Sequence, residues 1–223
     1  MLRLKTYDFY EQYWNVRAEV SVQHARRIAQ CQLKLKRALE NIPIGAPVLD
    51  AGCGQGLFSL FMLQLGYKVF GIDISYKALR NAKTVISNGY FGRASLEDAL
   101  PFRGEYFAAV WCSEVMEHVF YVYGVLAELN RVLIRNGMLV LTTPYHGLLK
   151  NLAITLTGFE KHYNPNISHI RFFTRRSLAS CLNNAGFEIV KWNGVGRWRP
   201  FWMSHFVVAR KVSMPLPSPD IIG

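Results

Sequence analysis

The segment Val48-Leu49-Asp50-Ala51-Gly52-Cys53-Gly54-Gln55-Gly56 constrains this chain more than any other part of it. Three glycines at alternate positions follow a short apolar run. They precede the apolar stretch 57–65, which reads as a helix closed by Gly66. Glycine lets the backbone turn tightly and approach a ligand without a Cβ in the way. A second run, Lys68-Val69-Phe70-Gly71-Ile72-Asp73, ends on a carboxylate 19 positions after Gly54. In nucleotide-binding α/β folds an acidic residue at that distance accepts ribose hydroxyls. The spacing is GxGxG, whereas GxGxxG serves a diphosphate held at a helix N-terminus. Asp50, just before the first glycine, suits a ligand carrying an amine or a sulfonium charge better than a diphosphate. A dehydrogenase is therefore disfavoured.

The rest of the chain alternates apolar runs with helical patterns. Ser75 is placed to cap a helix that ends at Asn88-Gly89. Residues 90–94 and 107–112 read as the third and fourth strands, and a helix follows through Leu133. Asn136-Gly137 turns into a fifth strand over 138–142. Continuous apolar strands separated by helices predict an α/β, Rossmann-like doubly wound sheet covered on both faces. Ligands of such sheets bind at the carboxyl edge, near the switch in strand order. Residues 1–46 read as an N-terminal helical cap: Ser21 starts a helix with Val22, Ala25, Ile28, Ala29, Leu33, Leu35 and Leu39 on its apolar side. Residues 145–173 are aromatic, basic and rich in histidine with no clear period, and predict an irregular lid. Thr174 caps a helix through Asn184, and 187–192 and 201–210 read as two antiparallel strands. The core domain is thus 47–212, and 213–223 is an extended, proline-rich tail.

Residues 1–46 carry a net charge of +4, residues 47–144 of zero and residues 145–223 of +7. A neutral middle with basic flanks fits nucleic acid, an anionic membrane surface, an acidic substrate or plain solubility. No apolar run reaches the ~18 to 20 residues that span a bilayer, and residues 1–11 lack a secretory pattern. Cys31, Cys53, Cys112 and Cys181 form no CxxC pair, which suits free thiols in a reducing compartment. The expectation is a cytoplasmic protein, with membrane association left open. Gly196-Arg197-Trp198-Arg199-Pro200-Phe201-Trp202 interleaves cations with aromatics. It reads as a loop whose aromatics sit under the sheet, or as a peripheral membrane contact.

From about Gly45 to Arg210 the chain resembles the class I S-adenosylmethionine-dependent methyltransferases. Beyond the glycine motif, the resemblance is carried by Leu96-Glu97-Asp98-Ala99-Leu100-Pro101-Phe102 and by Cys112-Ser113-Glu114-Val115-Met116-Glu117-His118-Val119. Glu128-Leu129-Asn130-Arg131-Val132-Leu133, Thr142-Thr143-Pro144 and His169-Ile170-Arg171-Phe172-Phe173-Thr174 add to it. It implies seven strands with the last antiparallel, and S-adenosylmethionine as cofactor. It also implies that Asp50, Gly52, Cys53, Gly54 and Gly56 hold the methionine portion and that Asp73 holds the ribose. Ile74 would pack on the adenine, and Ser113 would face the methyl. The family's acid for the adenine amino group falls where Ser95 stands. That is a departure, met by Ser95 with the Leu96 backbone, or by Glu97 or Asp98.

Methyl transfer needs a base only when the acceptor arrives protonated, as a hydroxyl does. His118, Glu114, His146 and His169 are the candidate catalytic residues. His118 and His169 read equally as packing and anchoring groups. Glu114, Glu117 and His118 match the metal pattern of the ubiquinone-biosynthesis O-methyltransferases, where a divalent cation would lower a phenol's pKa. The expectation is nevertheless a site without metal. The leading reading is O-methylation of a small-molecule, lipid-linked or glycan hydroxyl. An RNA methyltransferase and a non-catalytic S-adenosylmethionine-binding protein stand as alternatives; no nucleic-acid module accompanies the basic flanks, and nothing indicates an oligomeric state.

Overall fold

The computed structural model describes Glu11 and residues 22–163, 169–199 and 201–216. Ser21 and residues 217–223, named above as a cap and as part of the tail, lie outside the described residues. The elements are α1 (Val22–Leu39), β1 (Pro47–Ala51), α2 (Leu57–Gln64), β2 (Lys68–Asp73), α3 (Tyr76–Val85), β3 (Tyr90–Arg93) and β4 (Phe107–Ser113). After a 3-10 turn at Met116–His118 come α4 (Val122–Val132), β5 (Leu133–Pro144), α5 (Leu148–Thr157), α6 (Phe159–His162), α7 (Arg175–Asn184), β6 (Phe187–Val195) and β7 (Ser204–Lys211).

The seven strands form one sheet in the order β3-β2-β1-β4-β5-β7-β6. β1, β2, β3, β4 and β5 run parallel, and β7 is antiparallel to both β5 and β6. The doubly wound α/β sheet with an antiparallel seventh strand is thus as the sequence predicts. Alternate residues along each strand feed two cores. Leu49, Val110, Leu139 and Val207 pack on one face with Leu126 and Leu129 of α4 and Leu178 and Leu182 of α7. Val48, Trp111, Val140 and Phe206 pack on the other with Leu35 and Leu39 of α1 and Met62 of α2. A strand buried on both faces has no room for alternating polar residues, which is why these runs are continuously apolar.

Local signals explain the boundaries. Ser75 caps α3 by accepting from the Ala78 N–H at 3.2 Å. Thr174 and Ser177 form a reciprocal capping box at α7. Asn136, at φ +62°, makes the expected turn inside the first half of β5, where the register against β4 jumps from Phe107↔Leu133 to Ala109↔Met138. The four cysteines are free thiols.

Three expectations change. On α1 the buried side carries Cys31, Leu35 and Leu39, with Arg27 half-buried beside them, while Ala25, Ala29 and Leu33 face outward. The apolar letters there cover more than one face, and packing selected the stripe that includes an arginine. Residues 145–173 are not irregular throughout, since α5 and α6 lie within them. Trp198, expected beneath the sheet as one alternative, is 71% exposed.

Candidate active site

β1 and β4 are neighbours whose crossovers leave in opposite directions, so the switch in strand order lies between them. Their carboxyl ends, with that of β2, bring together the residues singled out by sequence. Ala51 registers with Ile72 on one side and Cys112 on the other. The loop 52–56 therefore emerges between Asp73 and Ser113.

The loop is built on left-handed backbone. Gly52, Gly54 and Gly56 have φ of +79°, +54° and +83°, which side-chain-bearing residues rarely adopt. A Cβ on Gly52 would also stand 2.5 Å from Val115 Cγ2. The Gly52 and Cys53 N–H groups donate to the Ile72 carbonyl at 2.8 and 2.9 Å, tying the loop to β2. Gly54 N–H donates to Asp73 Oδ2 at 2.8 Å, and Ser75 N–H to Asp73 Oδ1 at 2.8 Å. Asp73 is thus aimed by both its neighbours and keeps lone pairs for further donors.

Asp50 is buried, and its Oδ2 accepts from Ser59 Oγ at 2.6 Å. Burial pushes its carboxyl up to about 7; the Ser59 hydrogen bond opposes this and the Asp73 charge adds to it. Burial also raises Asp73, against the hydrogen bonds from Ser75 and Gly54. Two buried carboxyls that resist ionisation, set around a glycine loop, suit a ligand that brings positive charge and donors. S-adenosylmethionine, with its ammonium, sulfonium and ribose diol, fits that donor set.

Around the adenine candidates the structure redistributes roles. Ser95 Oγ accepts from the Glu97 N–H at 3.2 Å. Glu97, a substitute acid in the sequence reading, instead accepts from the Phe120 and Tyr121 N–H groups at 2.5 and 3.0 Å, at the start of α4. Ile74 is half-buried with its carbonyl bound by Arg93, and Leu96 is buried. Glu11, which sequence reading passed over, accepts from the Tyr76 and Lys77 N–H groups at 2.6 and 3.0 Å, at the first turn of α3. A glutamate 65 residues away capping this helix leaves no local pattern to read.

Beyond Ser113 lies a second polar cluster. Ser113 Oγ is 2.9 Å from Thr142 Oγ1, which donates to Glu114 Oε1 at 2.8 Å. Arg27 Nη1 of α1 meets Glu114 Oε2 at 2.6 Å, and Ser204 Oγ donates to the same oxygen at 3.3 Å. Glu114 sits at φ +53°, a strained backbone held by these contacts. Both its oxygens are thus engaged with protein partners. Among the described residues, Glu117, His118 and His169 offer one ligand atom each within 4.8 Å of one another. Glu117 is fully buried; its Oε2 accepts from Thr143 Oγ1 at 3.1 Å, and its Oε1 has no hydrogen-bond partner. Burial above all, with the Glu114 charge, raises its pKa well above the usual carboxylate value.

The histidines converge as well. The Glu117 carbonyl accepts from the Ile170 and Arg171 N–H groups at 2.9 and 3.1 Å, docking the His169 segment on the 3-10 turn. The His118 and His169 ring centres are 4.8 Å apart. His146 is buried, 5.5 Å from His162 ring to ring, with Nδ1 3.2 Å from Asn151 Oδ1. Burial lowers His146 to about 4 and lowers His162 and His169 too, with the His118 charge contributing for His169. His205, not singled out by sequence, is a packed histidine: it is fully buried, with Nδ1 accepting from Trp192 Nε1 at 3.1 Å. Lys150, also missed, donates to the Tyr145 carbonyl at 2.7 Å, and burial lowers it to about 8.

Residues 22–191 match the family described as a methyltransferase domain. A ubiquinone biosynthesis O-methyltransferase of Xanthomonas axonopodis pv. citri is 30% identical over 161 residues, 69% of this chain and 67% of that protein. A malonyl-[acyl-carrier protein] O-methyltransferase of Buchnera aphidicola is 36% identical over 119 residues, 53% of this chain and 48% of that protein. The chain thus spans about half the length of the one relative and about two thirds of the other. Among solved structures, magnesium protoporphyrin IX methyltransferase of Synechocystis PCC 6803 with bound SAH superposes with a TM-score of 0.71 at 19% identity, covering 94% of this chain and 99% of that one. That likeness is one of fold.

Proposed function

Because the chain belongs to the class I S-adenosylmethionine-dependent methyltransferases, we propose that it methylates a hydroxyl on a small-molecule, lipid-linked or glycan acceptor. The observation that carries this reading is the His118–His169 pair beside the buried Glu117, at the carboxyl end of β4. A hydroxyl must lose its proton as the carbon–oxygen bond forms, and neutral imidazoles are the groups that take it near pH 7. The relatives above are, by name, O-methyltransferases, which supports the same class.

S-adenosylmethionine supplies an activated methyl for in-line displacement. The chain's own residues do the rest. Asp50 and the backbone of Gly52, Cys53, Gly54 and Gly56 bind the charged methionine end. Asp73 takes the ribose diol, Ile74, Ser95 and Leu96 line the adenine, and Ser113 stands by the methyl. His118 and His169 hold the acceptor hydroxyl and accept its proton. His146 remains neutral at pH 7 because it is buried, and lines the acceptor side. Glu114 acts through position: tied to Arg27, Thr142 and Ser204, it clamps α1 to the ends of β5 and β7. Residues 145–163 and 169–173 act as the lid, with His146, His162 and His169 on its inner side.

The test is methyl transfer from labelled S-adenosylmethionine to a panel of phenolic, sugar and lipid-borne hydroxyls, with RNA as a further acceptor. On the acceptor found, His118→Ala and His169→Ala should each lower kcat about a hundredfold or more, with S-adenosylmethionine affinity kept. Unchanged kcat in both variants would refute the assignment of the base. Transfer to RNA alone would refute the acceptor class.

A further inference from the structure

The helix α5 presents a stripe of leucines outward. Leu148, Leu149, Leu152 and Leu156 are 83, 56, 53 and 76% exposed, and Phe159, just beyond the helix, is 54% exposed. These positions recur at helical spacing along one side. Lys150 and Asn151 of the same helix turn toward the protein with Ala153 and Ile154, while Thr155 and Thr157 share the exposed side: Lys150 Nζ donates to the Tyr145 carbonyl at 2.7 Å, and Asn151 meets His146. None of the residues of α5 is fully buried. Proteins rarely leave an apolar stripe of this kind in water unless something covers it.

We infer that the outer face of α5 docks on an anionic lipid surface. Three observations favour that occupant over a second copy of the chain. The helix is ten residues long, about 15 Å, and no helix among the described residues is long and apolar enough to cross a membrane; α5 therefore lies in the interface plane. Residues 145–223 carry a net +7, which attracts anionic headgroups and repels another copy. The segment bearing Trp198, 71% exposed between Arg197 and Arg199, is fastened to the root of the same helix. Lys150 Nζ lies 3.4 Å from the Met203 carbonyl, and the Tyr145 and Trp202 rings are 5.6 Å apart. Tryptophan and arginine side by side are the residues that settle at a headgroup boundary. The leucines face lipid while His146 and Lys150 at the same helix face inward, so the docked helix would sit between bilayer and acceptor site. This inference does not depend on the acceptor being a hydroxyl.

Vesicle flotation tests it. The full chain should float with phosphatidylglycerol-containing vesicles, less with phosphatidylcholine alone, and less as salt is raised. The triple variant Leu148→Ser, Leu152→Ser, Leu156→Ser should lose about a hundredfold in partition, with its melting temperature and S-adenosylmethionine binding kept. Leu33→Ser, which removes an exposed leucine on α1 (53%), should leave flotation unchanged. A folded, cofactor-binding chain that fails to float would overturn the inference. So would a dimer in ultracentrifugation that the triple variant dissociates without any vesicle binding, and so would equal loss in the Leu33 variant.

Discussion

Asp50 should make cofactor binding pH-dependent in a window where few carboxylates titrate. Its carboxyl is buried and titrates at about 7 in the free protein, mainly because burial disfavours its charge. A cationic ligand at the glycine loop favours the ionised form, so binding pulls the proton off. Affinity then scales with the fraction of free protein already ionised. That fraction is about one in thirty at pH 5.5 and about one half at pH 7, so Kd for S-adenosylmethionine should fall about fifteenfold between them. The window lies below the ligand's own α-amino pKa of about 8, which keeps the ligand's charge fixed. Calorimetry at pH 7 in two buffers of different ionisation enthalpy should register about half a proton released per cofactor bound. Asp50→Asn removes the titrating group and should flatten the slope. A wild-type Kd that stays level from pH 5.5 to 7, or a slope that survives in the asparagine variant, would refute the reasoning. The same carboxyl carries a stability consequence of opposite sense. Its folded pKa lies above the ordinary value of 3.8, so its contribution to stability is present below that value and is lost as pH rises toward 7. Without cofactor at pH 8, Asp50→Asn should therefore melt higher than the wild type, by at most about 4 kcal/mol, while binding cofactor worse.

Other substitutions probe the frame around the site. Arg27→Met strands the Glu114 carboxylate with hydroxyl partners alone; since both side chains are only partly exposed (17% and 26%), unfolding free energy should drop by about 2 kcal/mol. Adding Glu114→Gln should restore most of it in a denaturant double-mutant cycle, and additive losses would show that the pair is not coupled. Gly52→Ala meets both a positive φ and a 2.5 Å contact with Val115. It should cost about 2 kcal/mol and abolish cofactor binding in calorimetry. Val115→Ala in the same chain should recover part of the stability, since the backbone strain remains. Glu97→Gln keeps an acceptor for the Phe120 and Tyr121 N–H groups and should leave S-adenosylmethionine affinity within about twofold. A larger loss would return Glu97 to the adenine.

What was legible in the sequence was legible because it is local. The caps at Ser75 and Thr174 act within three residues of themselves, and the glycine loop and Asp73, joined by the Gly54 N–H, each stand directly at the end of a strand that the letters mark. Backbone geometry or burial forces the residue type there, and the pattern survives as letters. The sheet followed from strands apolar on both faces, a constraint spread evenly along each run. The acceptor side resisted for the opposite reason. The Arg27–Glu114 pair spans α1 and the end of β4, and the charge that meets Glu114 comes from a helix read only for its apolar stripe. Glu11 on α3 and Lys150 on the Met203 carbonyl are likewise set by tertiary contact. α5 escaped notice because sequence reading looks for an apolar face turned inward, and here the leucines face out while the lysine and asparagine face in. The donor side of such an enzyme must keep one shape for one cofactor, so its residues are fixed by local geometry. The acceptor side is assembled from distant parts of the chain, and its specificity is therefore written in contacts rather than in motifs.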